Sequence, residues 1–257
     1  MSKLPPSRSL VHTVCSPQAL SEADRESMLS LMNLYYHNVK PTKFLQDLMD
    51  KDFVICLRGT LEAQPVETHN AQLGTVLGFS TQKVFVHDFN GKLYRILFSG
   101  DTVVSREHWN SPLLARAWGR LVMRLIAESP MPLYWLLLTK GYRTYRFLPL
   151  FFHNYAPSSQ GPDNVELDGM RHALTRHLFG LAYNPNTFTV KGRAIDNYFL
   201  RSGVADIDQA RLRDRNVRRF LHLNPAYNDG DELSCIAPLT VDNFTGAARR
   251  VIGANYF

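Results

Sequence analysis

Alternating apolar and polar residues mark two adjacent β-strands in the middle of the chain. The two runs, at 74–88 and 93–104, are rich in β-branched and aromatic residues and flank the pair Asn90-Gly91. Asn-Gly between such runs is a strong hairpin signal, because both turn residues must take positive φ. The sequence therefore predicts an antiparallel hairpin whose second strand ends near Val104.

A long amphipathic helix follows the hairpin after a short polar loop. Apolar residues recur at helical spacing over 112–128, and three arginines recur every fourth residue beside that stripe. Ser111 is the predicted N-cap, with Pro112 in the first helical position. A strand that leads into a helix N-terminus through a short loop can hold an anion on backbone N–H groups. We therefore look for function at this junction.

The remaining pattern predicts an arm, further helices and three more strands. The first 20 residues are polar and proline-containing, which is typical of an N-terminal arm. Helices are predicted at 21–39, 42–49, 141–148, 167–181 and 206–220. The helix that begins at 141 either stops at Pro149 or continues with a kink to Tyr155. Apolar runs predict strands at 52–59, 133–139 and 232–238, and exposed loops are expected at 60–73 and 183–189. A Pro/Ser/Gly stretch at 157–162 is a predicted boundary that separates a core, 21–156, from a C-terminal extension, 157–257.

Composition adds limits rather than a function. The chain has 257 residues, of which 45% are hydrophobic and 20% charged, so it can bury a sizeable core. It lacks a signal-peptide pattern and a run of about 18 apolar residues, so no membrane span is expected. Three widely spaced cysteines with no CxxC pair predict a cytoplasmic protein without a metal site. The net charge of +6 favours anionic partners.

The order of the predicted elements resembles that of the GCN5-related N-acetyltransferase (GNAT) superfamily over roughly residues 21–155. In that family a loop of the pattern Gln/Arg-x-x-Gly-x-Gly/Ala follows the fourth strand and cradles the pyrophosphate of coenzyme A. The matching segment is Arg106-Glu107-His108-Trp109-Asn110-Ser111, and 136–143 resembles the family's fifth strand and the start of its fourth helix. The resemblance implies a mixed α/β (α+β) fold with a mostly antiparallel central sheet flanked by helices. Residues 157–257 would add a C-terminal α/β extension that covers or completes the acyl pocket.

The phosphate loop departs from the family pattern. Only Arg106 matches, because Trp109 stands in the place of the first glycine and Ser111 in the place of the second small residue. Glycine lets a backbone approach phosphates closely and take unusual φ angles. The side chain of Trp109 would obstruct or redirect that approach. Either the thioester donor binds differently here, or the site has lost coenzyme A.

The resemblance implies acyl transfer from a thioester, either acyl-CoA or an acyl carrier protein, to the amine of a small molecule. Within the superfamily, N-acyl amino acid synthases and acyl-homoserine lactone synthases accept acyl groups from a carrier protein. The row Arg116, Arg120 and Arg124 would suit such an acidic partner. The alternative is a non-catalytic GNAT-like protein that binds a carrier protein or a small ligand. No resident cofactor is expected, and nucleic acid binding would rest on charge alone.

The candidate catalytic residues lie on the same stretch of chain. His108 and Glu107 stand at the strand–helix junction, where a general base would meet the amine, and Asp101 could accept a proton or orient that amine. Each of these side chains could instead have only a structural role, in which it forms a hydrogen bond with nearby backbone groups. In the family a tyrosine near the fourth helix often protonates the departing thiolate, and Tyr142 and Tyr145 compete for that role, with core packing as the alternative. The candidate donor-binding residues are Arg106, Trp109, Asn110, Ser111 and Arg116.

Overall fold

The computed structural model describes residues 10–60, 73–158, 164–192 and 198–257. Its strands are β1 (Leu10–Cys15), β2 (Tyr36–His37), β3 (Phe53–Thr60), β4 (Leu73–Phe89), β5 (Lys92–Val104), β6 (Leu133–Thr139), β7 (Tyr183–Asn184), β8 (Thr189–Val190), β9 (Phe199–Leu200) and β10 (Glu232–Pro238). Eight of them form one sheet in the order β1-β3-β4-β5-β6-β10-β8-β7, and β2 pairs with β9. Within the large sheet β5 and β6 are parallel, whereas the other neighbouring strands are antiparallel.

Helices cover both faces of this sheet. They are α1 (Glu22–Tyr35), α2 (Pro41–Met49), α3 (Leu113–Glu128), α4 (Tyr142–Tyr145), α5 (Phe147–Phe151), α6 (Val165–Phe179), α7 (Arg215–Leu223) and α8 (Gly246–Ile252). In the described ranges, none is both long enough and apolar enough to cross a bilayer. The predicted mixed α/β fold, with a mostly antiparallel sheet flanked by helices, is confirmed.

Side-chain alternation along the strands decides which helix covers which face. In β3, Val54 and Cys56 pack into the cluster formed with α1 and α2, whereas Ile55 between them packs into the cluster formed with α3. In β6, Leu136 packs with α6 and Leu137 packs into the α3 cluster. Helices α1, α2 and α6 therefore lie on one face, called here the α1/α6 face, and α3 lies on the opposite α3 face.

The hairpin and the start of α1 follow the sequence. Asn90 and Gly91 have φ of 56° and 77°, as the predicted turn requires, and the carboxylate of Asp88 accepts a hydrogen bond from Gly91 N at 2.9 Å. Ser21 and Asp24 form a capping box at the N-terminus of α1. The helix ends at Tyr35 rather than at 39, because the next two residues pair with β9 as strand β2.

The prediction of an N-terminal arm is wrong for residues 10–20. Leu10–Cys15 form strand β1, which pairs antiparallel with β3 from Leu10 opposite Gly59 to Cys15 opposite Val54. The run LVHTVC is short and does not alternate between apolar and polar residues, so it carries no clear strand pattern of its own. Residues 1–9 lie outside the described chain, as do residues 61–72 of the predicted loop.

Two predicted helix boundaries change around the junction that follows β5. Pro112 occupies the N-cap of α3 in place of Ser111, whose hydroxyl oxygen accepts a hydrogen bond from Leu113 N at 3.3 Å. The single helix predicted at 141–148 is two short helices, α4 and α5, which meet at Arg146. Pro149 lies inside α5 and does not stop it.

The C-terminal segment builds part of the central sheet rather than packing on a finished core. Strand β10 lies where the sequence predicts it and pairs with β6 from Leu233 opposite Thr139 to Pro238 opposite Tyr134. Helix α6 begins two residues before its predicted start, and the predicted polar helix at 206–220 is displaced to α7. Most of the predicted linker, 159–163, lies outside the described residues. The sheet therefore crosses the predicted boundary at 157.

Gly119 is a point of close approach between α3 and α8. A Cβ atom there would lie 2.3 Å from Cγ1 of Ile252, a side chain only 2% exposed. We expect Gly119→Ala to lower the free energy of unfolding by about 1–3 kcal/mol, because Ile252 must move within a packed core. Urea unfolding would measure this. The double variant Gly119→Ala/Ile252→Ala has no clash. Its loss of unfolding free energy should therefore be smaller than the sum of the losses in the two single variants, and strictly additive losses would contradict the clash.

Candidate active site

The parallel strands β5 and β6 separate at one end, and a cleft opens between them. They pair from Arg95 opposite Leu133 to Ser99 opposite Leu137, after which β5 continues to Val104 beside β4 alone. Beyond Ser99 the edge of β5 that faces β6 therefore has no strand partner in the described chain. The cleft at this opening has a volume of about 970 Å³ and reaches both faces of the sheet.

A β-bulge places Asp101 at the point of separation. Ser99 pairs with Gln82 and Thr102 with Ser80, so Gly100 and Asp101 together oppose the single residue Thr81. A Cβ atom on Gly100 would lie 2.6 Å from Oγ1 of Thr81, which explains why glycine stands there. The bulge reorients the strand locally, and Gly100 and Asp101 both line the cleft.

Buried hydrogen bonds hold this bulge from below. Trp135 Nε1 donates to Ser99 Oγ at 2.8 Å, and Ser99 Oγ donates to Gln82 Oε1 at 2.6 Å. Gln82 Nε2 donates to Ser80 Oγ at 2.7 Å, and the hydroxyls of Ser80 and Thr102 are 2.7 Å apart. The folded protein loses stability when a buried polar group loses its hydrogen-bond partner. This series of hydrogen bonds therefore fixes the backbone on both sides of Asp101.

The carboxyl group of Asp101 has a strongly raised pKa. Its burial in the cleft raises the pKa from 3.8 to about 7, and the carboxylates of Asp47 and Glu232 act in the same direction. The ammonium groups of Lys140 and Lys51 oppose that rise. A carboxyl group with a pKa near neutral pH can both accept and release a proton under physiological conditions.

Two lysines line the cleft near Asp101 as members of ion pairs. Lys140 Nζ lies 2.5 Å from Glu232 Oε1, and the two side chains are 7% and 12% exposed. Lys51 Nζ lies 2.7 Å from Asp47 Oδ1. Burial and the carboxylates of Asp101 and Glu232 raise the pKa of Tyr36, so its hydroxyl stays protonated. The cleft thus combines a titratable carboxyl group with a protonated phenol.

Each end of the cleft has its own lining. Towards the α1/α6 face it is bordered by apolar side chains of β4, β5, β6 and the end of α6, namely Phe85, Phe98, Leu138, Leu178 and Phe179. Charged side chains of α2 and of the residues just after it, namely Lys43, Asp47, Asp50 and Lys51, line the cleft on the same face. Towards the α3 face it is bordered by the loop after β5 and the first turns of α3 and α4. The chain therefore offers a surface with apolar and charged parts on one side of Asp101 and a loop–helix junction on the other.

Several backbone N–H groups of the loop after β5 donate hydrogen bonds to acceptors within the protein. Arg106 N donates to the hydroxyl oxygen of Tyr35 at 2.7 Å, His108 N to Ser105 O at 2.9 Å, and Ser111 N to His108 O at 2.9 Å. A cradle for a pyrophosphate needs such groups to point at the ligand. The loop with Trp109 in place of glycine is instead hydrogen-bonded to itself and to α1.

The structure brings together part of the predicted site. The predicted residues that line the cleft are Asp101, His108, Trp109, Asn110 and Ser111. Glu107 lies beside His108, with 3.5 Å between Oε1 and Nε2, but its side chain is 70% exposed. Arg106 is exposed and lies 5.5 Å from the centroid of the Trp109 ring. Their roles stay predictions.

Tyr142 and Tyr145 lie in the hydrophobic core rather than in the cleft. Tyr142 is 1% exposed and Tyr145 is fully buried, and both belong to the core cluster on the α3 face. The hydroxyl of Tyr145 donates to Pro157 O at 3.1 Å. Core packing, the alternative interpretation of these rings, is what the structure shows, and Tyr36 is the tyrosine whose pKa responds to Asp101.

The predicted arginine row binds the C-terminal segment of the same chain. Arg116 Nε donates to Val251 O at 3.0 Å, and Arg120 Nε donates to Ile252 O at 3.3 Å. The guanidinium of Arg120 also lies 4.8 Å from the centroid of the Tyr256 ring. Arg116 is not among the residues that line the cleft, and its assignment to donor binding stays a prediction. These two contacts give the row a structural role.

Several cleft residues were missed by reasoning from sequence. Lys140 directly follows the buried strand β6 and Glu232 opens β10, and a charge at the end of an apolar run is the signal that could have identified them. Their pairing joins positions 92 residues apart, which no local pattern reveals. Tyr36 gave no signal, because it continues the apolar stripe of α1.

Solved structures similar to the chain include two that are described as GCN5-related or GNAT-family N-acetyltransferases. A conserved protein from Enterococcus faecalis V583 described as a probable N-acyltransferase is 12% identical, with a TM-score of 0.39 over 57% of this chain and 33% of that chain. A GCN5-related N-acetyltransferase from Kribbella flavida is 13% identical, with a TM-score of 0.38 over 57% and 34%. The chain thus spans about a third of the length of these two. A GNAT-family N-acetyltransferase from Escherichia coli in complex with CoA is 14% identical, with a TM-score of 0.36 over 57% and 71%.

No protein-family model matches the sequence, and no curated protein matches it. At identities and TM-scores this low, similarity to solved structures assigns neither a family nor an activity. The case for a function rests on the geometry and electrostatics of the cleft.

Proposed function

We propose that the protein is an N-acyltransferase of the GNAT type, which moves an acyl group from a thioester to the amine of a small molecule. The observation that carries this proposal is Asp101, a carboxyl group with a pKa of about 7 at the bulge where β5 separates from β6. The predicted element order and the single parallel pair, β5 with β6, support the GNAT type.

The proposed reaction needs a base and precise positioning but no covalent enzyme intermediate. The carboxylate of Asp101 takes a proton from the substrate ammonium, and the freed nitrogen lone pair attacks the thioester carbonyl. The carbon–nitrogen bond forms, and the carbonyl π electrons move to oxygen. As the carbonyl re-forms, the carbon–sulfur bond breaks and the sulfur leaves as a thiolate. The second nitrogen proton passes to that sulfur, and Asp101 releases its own proton to solvent.

Groups around Asp101 suit the charges that develop in this reaction. The open edge of β5 beyond Ser99 provides backbone N–H groups for the oxyanion of the tetrahedral intermediate. The protonated hydroxyl of Tyr36 supplies a further hydrogen-bond donor in the cleft. His108 remains a second candidate base on the α3 side of the cleft. Two variants distinguish the candidates, because His108→Gln removes the base in the loop and Asp101→Asn removes the base on the strand.

The proposed donor is acyl-CoA. The arginine row was one feature that would suit an acyl carrier protein, and Arg116 and Arg120 bind the C-terminal segment instead. The donor would enter from the α3 face, where α3 begins. The acceptor amine would then approach Asp101 from the α1/α6 face, where the lining has both apolar and charged side chains.

Thioester turnover tests this proposal. The purified chain is incubated with acyl-CoA thioesters of increasing length and a panel of primary amines, and released thiol and new amide are measured by a thiol reagent and by mass spectrometry. We expect both products to appear in equal amounts, with Asp101→Asn as the matched inactive control. No release above the spontaneous rate with any acyl-CoA or acylated carrier protein would contradict the acyltransferase.

A non-catalytic binding protein is the second candidate, and the closed loop after β5 favours it. The N–H groups of Arg106, His108 and Ser111 already have acceptors, so these three groups are not available to hold a pyrophosphate. In this case the cleft would bind a ligand without consuming a thioester. Saturable binding of coenzyme A or an amine in calorimetry, with no thiol release when both are present, would identify this function.

A further inference from the structure

A stacked pair of side chains spans the α3-side mouth of the cleft. Trp109 lies in the loop after β5 and Arg143 lies in α4 after β6, so their contact joins the ends of the two separating strands. The guanidinium carbon of Arg143 is 4.3 Å from the centroid of the Trp109 ring. Trp109 Nε1 donates to Val104 O at 2.8 Å, which fixes the ring on β5. The indole is therefore a rigid platform for the guanidinium.

The donors of Arg143 are unused in the described part of the chain. Its Nε is buried without a hydrogen-bond partner, and the side chain makes no hydrogen bond or ion pair with a described residue. Other cations of this region do have partners, because Lys140 pairs with Glu232 and Arg146 Nε lies 3.0 Å from Asp214 Oδ2. A half-buried guanidinium without a counter-charge is unfavourable unless a ligand supplies one.

The contact with Trp109 does not occupy the N–H groups of this guanidinium, which could bind a phosphate group. The guanidinium carbon of Arg143 lies over the ring of Trp109, and a contact of this kind leaves the N–H groups, which lie in the guanidinium plane, for a ligand. A planar fork of that kind matches two oxygens of a phosphate group in a bidentate way. The loop N–H groups of Arg106, His108 and Ser111 already have acceptors.

We infer that Arg143, held against Trp109, binds a phosphate group of the acyl donor. The inference rests on the proposed thioester transfer and names the residue that anchors its donor. It also gives Trp109 a positive role: the side chain that excludes a glycine-type backbone cradle supports a side-chain anchor in its place. Coenzyme A and the phosphopantetheine arm of a carrier protein both carry such a phosphate.

The test compares donors with and without phosphate. KM is measured for acyl-CoA, acylated carrier protein and acyl-pantetheine, which lacks phosphate, in the wild type, Arg143→Met and Arg143→Lys. We expect Arg143→Met to raise KM for acyl-CoA roughly 10- to 100-fold and to leave KM for acyl-pantetheine unchanged. Arg143→Lys keeps the charge but loses the fork, so it should recover only part of the affinity.

The matched control is Arg124→Met. Arg124 also lies over an aromatic ring, 5.3 Å from the centroid of Phe53, but it is on the exposed side of α3 and outside the cleft. Its removal should leave KM for every donor unchanged. If Arg143→Met raises KM equally for acyl-CoA and for the acylated carrier protein, Arg143 binds the phosphate that both donors carry. If it raises KM for acyl-CoA alone, Arg143 binds a phosphate that only coenzyme A carries.

Two results would overturn the inference while the proposed function stands. One is an unchanged KM for acyl-CoA in Arg143→Met, and the other is an equal rise for acyl-CoA and acyl-pantetheine. If the wild type turns over no thioester, the proposed function fails and calorimetry decides the inference by itself. Wild-type protein must then bind coenzyme A more tightly than pantetheine, and Arg143→Met must abolish that difference; equal binding of the two ligands refutes the phosphate anchor.

Discussion

Asp101→Asn is expected to lower kcat/KM for acyl transfer by about 10²- to 10⁴-fold, the usual contribution of a positioned general base. Asparagine has the size of aspartate but cannot take a proton from the substrate ammonium. Because the bulge at Gly100 and the buried hydrogen bonds beneath it stay in place, the fold should be retained. Asp242→Asn, an exposed position outside the cleft, is the matched control and should leave kcat/KM unchanged.

The pH dependence follows from the raised pKa of Asp101. Catalysis needs the carboxylate, so kcat/KM of the wild type should rise with pH through a midpoint near 7. A full loss of activity in His108→Gln, with Asp101→Asn unaffected, would instead assign the base to the loop. An unchanged pH profile in the remaining activity of Asp101→Asn would also contradict Asp101 as the titrating group.

The same shift predicts an effect on stability. Between the unfolded pKa of 3.8 and the folded pKa of about 7, the folded state binds more protons at Asp101 than the unfolded state does. This group therefore makes the fold less stable as pH rises from about 4 to 7. Asp101→Asn removes that dependence, so we expect a higher melting temperature than the wild type at pH 8 and a similar one at pH 4; calorimetry at both pH values checks this.

Breaking the pair between Lys140 and Glu232 is expected to destabilise the protein by about 3–5 kcal/mol. The two side chains are 7% and 12% exposed, so Lys140→Met or Glu232→Gln alone leaves a charge in the cleft without its partner. The double variant removes both charges and should lose less than the two single losses added together. Urea unfolding of the four proteins measures the coupling, and additive losses would contradict it.

The same variants should move the pH profile in opposite directions. Lys140 lowers the pKa of Asp101 and Glu232 raises it. Lys140→Met should therefore shift the midpoint of kcat/KM to higher pH, and Glu232→Gln should shift it to lower pH. Shifts of the same sign would show that a change of structure, not the removed charge, is responsible.

Local chemistry made part of the fold readable in the sequence. The turn at Asn90-Gly91, the capping box of Ser21 and the stripe of α3 each depend on residues a few positions apart. Asp101 was found by the same kind of signal, since Ser-Gly-Asp lies close to the end of the predicted strand. The strand at Leu10–Cys15 was not predicted, because it is defined by its pairing with β3 rather than by a pattern of its own.

By itself the sequence determined the hairpin, the long helix, the mixed α/β class and the position of Asp101 at the end of a strand. The tertiary structure alone decided what surrounds that carboxyl group. It brought Glu232 to Lys140, placed Arg143 on Trp109, buried the rings of Tyr142 and Tyr145, and occupied Arg116 with the C-terminal segment. The reason is physical: helix and turn preferences act between near neighbours, whereas pKa values, ion pairs and stacking depend on distances that only the folded chain sets.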